Sequence, residues 1–270
     1  MSRIKIFITG SRGIVGRHLC AALTSQTHIE VYEFDGDIRD RNDIDAAVTR
    51  AGDIDIVINL AAVVAVETVE NDPAKAYSVN VGGVTSLLEV ISGKKIRPYF
   101  FQCSSAHVYS PSEHAISEDD ATEPLSYYGK TKRMAEIVVE DVCNKLDLPW
   151  GIGRVFSIHD PAQKGSFLRP RIEERLRTGN LGSPFELRGA DSVRDFLPAK
   201  QAAEYILALS LSKHQGIINI GSGEPTRIRD FVQQLSSEKL DVLHVGNSDM
   251  LLANVTRLRN FERNNGATDL

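Results

Sequence analysis

Cysteine is scarce in this sequence, and its positions exclude two common kinds of site. The 270 residues contain three cysteines, Cys20, Cys103 and Cys143. Their odd number, wide spacing and apolar neighbours fit reduced thiols that pack as small hydrophobic side chains. Neither a disulfide framework nor a zinc ligand set has this spacing, and we predict no metal site.

The sequence also lacks an excess of positive charge. It has 31 lysines and arginines against 36 aspartates and glutamates, which gives a formal net charge of −5. No stripe of basic residues stands out that would neutralise a phosphate backbone. Nucleic acid is therefore not an expected partner.

Long hydrophobic runs are missing as well. The longest, residues 54–65, is interrupted by Asp55 and Asn59 and falls short of the ~20 residues that span a bilayer. The first residues lead into a strand pattern and lack the apolar stretch and small-residue cleavage site of a signal peptide. We therefore expect no membrane segment and a cytoplasmic protein.

Short β-rich runs alternate regularly with amphipathic helices in the first part of the chain. The runs are almost continuously hydrophobic, which is typical of parallel strands buried on both faces. The predicted strands are residues 4–8, 29–34, 55–61, 98–105 and 150–156. The predicted helices between them are residues 15–24, 44–50, 74–92 and 128–146. This alternation predicts an α/β fold with a doubly wound, Rossmann-type parallel sheet.

The pattern changes after Phe156. The later predicted elements are a charged helix at 167–179, a short isolated strand at 185–189, a helix at 198–212, a strand at 216–223, a helix at 227–240 and a polar tail. We expect the cofactor domain to comprise residues 1–156 plus about 195–221. Residues from about 157–194 plus 222–270 are then expected to form a small C-terminal substrate-binding lobe.

Three glycines follow the first strand in the segment TGSRGIVGRHL. Gly10, Gly13 and Gly16 stand between this strand and the first helix. Glycines let a backbone approach a pyrophosphate closely, and the first turn of a helix offers free N–H groups and a positive dipole. The same triplet also fits a tight turn with close helix packing, so it gains weight only together with other signals.

Acidic residues after the second strand are the next signal. Asp35 lies 25 residues after Gly10, where a carboxylate can bind the ribose hydroxyls of an adenosine. Asp37 can face the adenine edge, and both aspartates also fit turn or capping roles. Arg12 would favour a 2′-phosphate that Asp35 would repel, so NAD and NADP both stay open as the cofactor.

A tyrosine and a lysine open the helix predicted at 128–146. Tyr128 and Lys132 are four residues apart and share one face of that helix. An ammonium group beside a phenol lowers the pKa of the phenol, as general acid and base catalysis near neutrality requires. A surface helix with an exposed lysine fits the same spacing. Ser105, at the end of the preceding strand, can hydrogen-bond a substrate oxygen, although a strand-end serine is more often a turn residue.

Together these segments resemble the extended short-chain dehydrogenase/reductase family, which includes nucleotide-sugar epimerases, dehydratases and reductases. The resemblance extends over almost the whole chain, and the order and separation of the motifs make it far more specific than any one of them. The segments that carry it are GSRGIVG, DGDIRD, INLAAVVAV, AYSVNVGGVTSLLE, SSAHVY, YYGKTKRMAE, GRVFSIHDP, SVRDFLPAKQAAEYI and INIGSGEPTRIRDF.

The resemblance implies roles for individual residues. Ser105, Tyr128 and Lys132 correspond to the catalytic residues of the family, and Lys132 also binds the nicotinamide ribose. Tyr128 takes this role rather than Tyr127, because only Tyr128 is followed by Gly129 and by a lysine at the fourth position. The cofactor-binding residues that the resemblance implies are Gly10, Ser11, Arg12, Gly13, Ile14, Val15, Gly16, Asp35, Asp37, Ile38, Leu60, Ala61, Ala62, Val64, Asn80, Tyr128, Lys132 and Val155.

The implied partner is a small-molecule nucleotide sugar. The substrate-binding residues that the resemblance implies are Ser105, His107, Ser157 and Arg194. Arg194 would contact the diphosphate as a bidentate donor, and a surface ion pair with Asp191 or Asp195 is the alternative.

Relatives commonly form homodimers through two long helices, here 74–92 and 128–146. The first of these helices carries more apolar residues than one buried face needs, which fits an interface as well as a core. These residues are Val79, Val84, Leu87, Leu88 and Ile91.

The sequence departs from the family pattern near the expected sugar pocket. Ser157 replaces an asparagine, and Ser110 and Asp160 replace glycines. Ala106 and His107 stand where the 4,6-dehydratases place an acidic pair, which disfavours dehydration. His107 fits a proton donor or, more simply, a polar pocket wall.

The function expected from the resemblance is NAD(P)-dependent oxidation or reduction at C4 of a nucleotide-activated sugar. Tyr128 would be the general acid/base, Lys132 would tune it, and Ser105 would polarise the C4 oxygen. The short chain and small lobe favour a 4-ketosugar reductase, whereas SSAHVY is closer to the corresponding segment of 4-epimerases, which retain their NAD. A non-catalytic NAD(P)-binding regulator is the alternative from another class, and retention of the tyrosine and the lysine disfavours it.

Overall fold

The computed structural model describes residues 3–179 and 184–265, and its first half alternates strands with helices. Most element ends lie within three residues of the predicted ones. The elements as far as the fifth strand are β1 (Ile4–Thr9), α1 (Ile14–Leu23), β2 (Ile29–Phe34), α2 (Arg41–Ala51), β3 (Ile56–Asn59), α3 (Val66–Asn71), α4 (Pro73–Tyr77), α5 (Gly83–Lys94), β4 (Tyr99–Ser105), α6 (Tyr127–Leu146) and β5 (Trp150–Val155).

The second half departs further from the prediction. Its elements are β6 (Ser157–His159), α7 (Leu168–Thr178), β7 (Phe185–Arg188), β8 (Val193–Pro198), α8 (Ala199–Leu211), β9 (Gly216–Ile220), β10 (Pro225–Arg227), α9 (Ile228–Gln234), β11 (Val242–Val245), β12 (Met250–Leu251) and α10 (Thr256–Asn265). The predicted polar tail thus contains two strands and a helix, and its last residues, 266–270, lie outside the described part. The strand predicted to be isolated, β7, pairs in parallel with β11.

Six parallel strands form the central sheet, in the order β2-β1-β3-β4-β5-β9. This confirms the predicted α/β fold with a doubly wound sheet. The chain moves outward from β1 to β2 and then crosses to β3 on the other side of β1, so the topological switch point lies between β1 and β3. Ligands of such sheets bind at that point, beyond the carboxyl ends of the strands.

Helices cover both faces of this sheet, and the strand residues alternate between two cores. Ile6 and Ile8 of β1 belong to a cluster that includes side chains of α1, α8 and α10, such as Leu19. Phe7, between them, packs in a second cluster with side chains of α2, α5 and α6. Because the inner strands β1, β3, β4 and β5 bury both faces, their sequences read as continuous apolar runs.

The helix predicted at 74–92 is interrupted. A π-helical turn, Ser78–Gly82, separates α4 from α5, and the short helix α3 precedes both. The apolar residues of this helix, which were compatible with an interface, pack in the core. The fully buried ones are Val84, Leu87, Leu88 and Ile91, and Val79 packs partly buried against the same cluster.

A smaller sheet lies next to the main one. Strand β8 is central in it and pairs with β10, β12 and β6. The chain then returns to the main sheet with α8 and β9, and Leu258 and Phe261 of α10 pack into the main core. Within residues 3–179 and 184–265, no helix is long and apolar enough to cross a membrane.

A buried ion pair joins helix α6 to strand β5. Arg154 Nε and Nη2 donate to the two carboxylate oxygens of Glu136 at 3.0 and 2.9 Å. Burial alone would lower the pKa of Arg154, but hydrogen bonds to Glu136 and its charge raise it instead. Ser104 Oγ donates to the same carboxylate at 2.5 Å, and Arg154 Nη1 donates to Tyr109 Oη at 2.7 Å. These contacts fix α6 against β4 and β5.

We expect Arg154→Met to lower the free energy of unfolding by about 3 kcal/mol, because the buried Glu136 carboxylate then keeps only Ser104 and the partly exposed Arg133 as partners. Urea denaturation followed by circular dichroism measures this loss. The matched control, Arg97→Met, removes an exposed ion pair with Asp147 and should cost less than about 1 kcal/mol. Equal losses in the two variants would contradict the importance of the buried pair.

Candidate functional site

A cleft of about 560 Å³ opens beyond the carboxyl ends of the central strands. Leu60 follows β3, Ser105 ends β4 and Val155 ends β5, and all three line the cleft. A second depression of about 320 Å³ adjoins it beside the end of β2 and shares Gly10, Ala61 and Ala62 with it. The cleft therefore lies at the switch point that the strand order indicates.

The glycine turn between β1 and α1 forms one wall of the cleft. Gly10 has a φ of +70°, and a Cβ there would lie 2.7 Å from the backbone nitrogen of Ala61. A Cβ on Gly16 would overlap the carbonyl oxygen of Gly10, so both positions require glycine. No side chain caps the first turn of α1, which begins at Ile14. Uncapped amides at the start of a helix fit a pyrophosphate, so this wall suits a dinucleotide.

The second depression holds the predicted adenosine-side residues. Asp35 lines it and forms an ion pair with Arg12, with both side chains largely exposed. Asp37 also lines it, and the hydrogen bonds from Arg39 lower the pKa of Asp37 to about 2. Ile38 belongs to the same wall and is otherwise buried in the core. The connection from β2 to α2 is only residues 35–40, which keeps these groups close to the turn.

Ser105, Tyr128 and Lys132 line the cleft together. Helix α6 begins where Ser126 Oγ accepts a hydrogen bond from the Gly129 amide at 3.0 Å. A Cβ on Gly129 would overlap the carbonyl oxygen of His107. Glycine therefore lets the start of α6 pack directly on the turn that follows β4, and this close approach brings Tyr128 beside Ser105.

Burial has the largest effect on the pKa values of Tyr128 and Lys132. It raises the pKa of Tyr128, and the hydrogen bond with Ser105 opposes the shift only in part. The Lys132 ammonium donates to the carbonyl oxygen of Cys103 at 2.5 Å, and burial lowers the pKa of Lys132. Lys132 is not among the groups that shift the pKa of Tyr128, so the expected lowering by the lysine is not seen and desolvation of the phenol dominates.

Asn80 does not line the cleft, contrary to the expectation. Its amide accepts from the Val63 nitrogen at 2.7 Å and donates to the Val63 carbonyl and to Thr131 Oγ1. It thereby ties the loop after β3 to helix α6. The residues of that loop that do line the cleft are Leu60, Ala61, Ala62 and Val64.

The expected substrate residues face the cleft from the side of the smaller sheet. Ser157, Arg194 and His107 line it. The ring of His107 is accessible from within the cleft but lies deep in it, packed edge-on to Tyr128 with 5.5 Å between ring centroids. Burial and the charge of Arg194 lower the pKa of His107, which favours its neutral form.

The predicted alternative partners of Arg194, Asp191 and Asp195, are wrong. Arg194 Nη2 lies 2.8 Å from Asp249 Oδ1. Asp195 is fully buried and accepts hydrogen bonds from the backbone of Ser222 and the neighbouring glycine, while Asp191 pairs with Arg229. Asp249 lies in the predicted polar tail, where periodicity offered no signal for this contact.

Sequence reasoning also missed several residues of the cleft wall. They are His159, Gln163, Phe167, Arg169, Phe196 and Phe231. Side chains alternate between the two faces along β6 and β8, and this alternation could have identified two of these residues, His159 and Phe196. Because Ser157 pairs with Phe196 in register, Ser157, His159, Arg194 and Phe196 share one face of the small sheet.

Comparisons with known proteins agree with this geometry. The sequence profile of the NAD dependent epimerase/dehydratase family matches residues 6–221. The GDP-6-deoxy-D-mannose reductase of Pseudomonas aeruginosa is 28% identical over 252 residues, which cover 86% of this chain and 79% of that protein. A UDP-glucose 4-epimerase of Rhizobium leguminosarum is 24% identical over 295 residues, with 94% and 90% covered.

Solved structures show the same fold. The structure of RMD from Pseudomonas aeruginosa complexed with NADPH has a TM-score of 0.82 at 23% identity and covers 95% of this chain and 91% of that one. The UDP-glucose 4-epimerase of Thermus thermophilus in complex with NAD has a TM-score of 0.82 at 21% identity, with 95% and 92% covered.

The family match covers most of the chain and confirms the resemblance that the ordered motifs indicate. The glycine turn, the uncapped helix and the depression beside Asp35 fit the dinucleotide that gives the family its name. This chain therefore belongs to the NAD dependent epimerase/dehydratase family, a family of enzymes whose cofactor is a nicotinamide dinucleotide.

Proposed function

We propose that this chain reduces the 4-keto group of a nucleotide-activated sugar. The observation that carries the proposal is the grouping of Ser105, Tyr128 and Lys132 in one cleft with the glycine turn. A carbonyl in that cleft would meet a hydroxyl and a phenol on the same side. The relatives that act on nucleotide sugars support the choice of substrate class.

Tyr128 is the proton donor in this proposal. A tyrosine phenol is protonated at neutral pH, which is the form that a donor to a carbonyl oxygen needs. Ser105 donates a hydrogen bond to the same oxygen and stabilises the negative charge that develops there. When bound, the dinucleotide supplies the hydride that completes the reduction.

Other residues of the chain would hold the cofactor. The first turn of α1, beginning at Ile14, binds the pyrophosphate, and Asp35 binds the adenosine ribose. Lys132 is anchored on the Cys103 carbonyl within the cleft and would donate further hydrogen bonds to the nicotinamide ribose, since an ammonium has three donors.

A 4-epimerase that retains NAD is the second candidate. The segment SSAHVY and the similarity to UDP-glucose 4-epimerases favour it. An epimerase would use the same phenol to remove a proton from a sugar hydroxyl and to return it, so the position of Tyr128 fits both reactions. We place reduction first because of the similarity to the GDP-6-deoxy-D-mannose reductase, which is 28% identical over 252 residues.

The purified chain should oxidise NADH or NADPH when it is mixed with a 4-keto sugar linked to GDP, dTDP or UDP. We expect one equivalent of reduced cofactor to be consumed for each sugar reduced, followed by absorbance and by chromatography of the sugar. The matching panel of 4-hydroxy sugars without added cofactor is the control. Interconversion of C4 epimers in that control would select the epimerase instead.

Replacement of the proton donor provides a second test. Tyr128→Phe should lower kcat by about 10²- to 10⁴-fold, because it removes the donated proton while keeping the ring. Binding of the cofactor, followed by fluorescence titration, should change little. The neighbouring Tyr127 is largely exposed, so Tyr127→Phe is the matched control and should keep full activity. If Tyr128→Phe were as active as the control, the assigned role would be wrong.

The ion pair of Arg12 with Asp35 bears on the choice of cofactor. Asp35→Asn removes the charge that repels a 2′-phosphate and leaves the Arg12 guanidinium free to bind one. We expect the ratio of NADP affinity to NAD affinity to rise by about tenfold or more, measured by calorimetry. Asp37→Asn is the control, because that carboxylate is already bound by Arg39. Equal shifts in both variants would contradict the specific role of Asp35.

Two expectations stay predictions. The first is the division into a cofactor domain and a substrate lobe. Strand β8 lies in the smaller sheet, whereas helix α8 packs on the main sheet.

The second is the homodimer. The exposed face of α6 carries Tyr127, Met134 and Ile137, and this apolar stripe supports an interface more directly than the buried residues of α5.

A further inference from the structure

His159 belongs to the cleft wall but has no part in the proton transfer described above. It ends strand β6 and packs edge-on against Phe231, with 5.3 Å between ring centroids. Phe231 in turn stacks on Phe196 at 4.0 Å with the rings nearly parallel. The imidazole is therefore held in place by aromatic side chains on one side and opens to the cleft on the other.

A single contact determines which nitrogen of this ring carries the proton. Arg169 Nη1 lies 3.3 Å from His159 Nδ1. A guanidinium can only donate hydrogen bonds, so Nδ1 must accept. A neutral imidazole that accepts at Nδ1 carries its proton on Nε2. Burial and the charge of Arg169 also lower the pKa of His159, which keeps the ring in this neutral form.

Arg169 is itself held in position by a second residue of its helix. Its Nε donates to Glu173 Oε1 at 2.7 Å, one turn further along α7. The Arg169 side chain is largely buried, whereas Glu173 is partly exposed. Glu173, Arg169 and His159 therefore form a row of hydrogen bonds that ends at an imidazole in the cleft wall with its proton on Nε2.

The register of the small sheet gives the separation between this donor and Arg194. His159 pairs with Pro198, four residues beyond Arg194 on the same strand. Four residues of a parallel strand span about 13 Å. Arg194 lies on the side of His107 and Tyr128, where the reaction occurs. If a nucleotide sugar has its sugar at Tyr128 and its diphosphate near Arg194, and its other half lies along this face of the small sheet, its nucleoside comes within reach of His159.

We propose that His159 donates a hydrogen bond from Nε2 to an acceptor oxygen in the nucleoside half of the substrate, and that Arg169 is a positioning residue that fixes this tautomer. The inference rests on the proposed function. It assigns the recognition of the nucleotide to a neutral donor next to two stacked aromatic rings rather than to a charged group.

Calorimetric titration of the full chain with UDP, GDP and dTDP tests the donor directly. For whichever nucleotide the wild-type protein binds, His159→Phe keeps an aromatic ring against Phe231 but lacks the donor. We expect its affinity to fall roughly fivefold to tenfold. His159→Gln carries an amide N–H at nearly the position of Nε2 and should lose less than about threefold. Equal losses in both variants would mean that the ring packs but does not donate, which would overturn the proposal.

Arg169→Met separates a positioning role from direct contact. We expect it to weaken nucleotide binding in the wild-type background and to have almost no effect when added to His159→Phe, because it acts through the histidine. Nitrogen NMR of labelled histidine should show the Nε2–H tautomer in the wild type and a mixture of tautomers in Arg169→Met. A loss of affinity that persists in both backgrounds would show that Arg169 contacts the ligand itself and would overturn its assigned role.

The failure of this inference is distinguishable from the failure of the proposed function. If none of the three nucleotides binds the wild-type protein, the nucleotide-sugar assignment fails and the role of His159 fails with it. If one of them binds equally to the wild type and to His159→Phe, the substrate class stands and the donor alone is refuted.

Discussion

The buried contact between Glu136 and Arg154 is the constraint on which the geometry of the cleft depends. It fixes helix α6 against strands β4 and β5 from inside the protein, where water cannot substitute for either partner. Ser104 donates to the same carboxylate, and Ser105 is the next residue along β4. The end of β4 therefore contacts Glu136 through the Ser104 hydroxyl and lines the cleft with Ser105. Tyr128 and Lys132 lie on the helix that Glu136 secures.

Local pattern predicted the first half of the chain well, because parallel strands with two buried faces read as continuous apolar runs. Ile6, Phe7 and Ile8 illustrate this, since they alternate between the two cores. The π-helical turn at Ser78–Gly82 was not predictable from spacing, because a helix with one extra residue in a turn keeps nearly the same apolar period. Its role in placing Asn80 depends on contacts with Val63 and Thr131 that are distant in sequence.

The second half was harder to predict for a physical reason. Its strands are two to six residues long and pair with partners far along the chain, as β7 does with β11 and β8 with β12. Segments this short carry only a weak alternation, and the strand that each one pairs with is decided by packing. The same holds for the site: motif spacing predicted Ser105, Tyr128 and Lys132, whereas His159, Arg169 and Asp249 came together only through the small sheet and its flanking segments.

The arginines of the cleft region each have a carboxylate partner of their own. The pairs are Arg12 with Asp35, Arg169 with Glu173, and Arg194 with Asp249. An anionic ligand at any of these positions must share or displace an existing partner, so its binding exchanges one contact for another instead of adding a new charge pair. Discrimination between ligands then depends on geometry more than on net attraction.

The path of the chain through the small sheet has a mechanical consequence. The chain leaves the main sheet after β5, returns at α8, leaves again after β9, and returns after β12 to lay α10 on the main core. Four separate backbone crossings join the two sheets, where a lobe appended at one end would have a single connection. Four such attachments therefore hold this wall of the cleft to the main sheet more firmly than a single connection would, so the geometry of the substrate side is coupled to the main core.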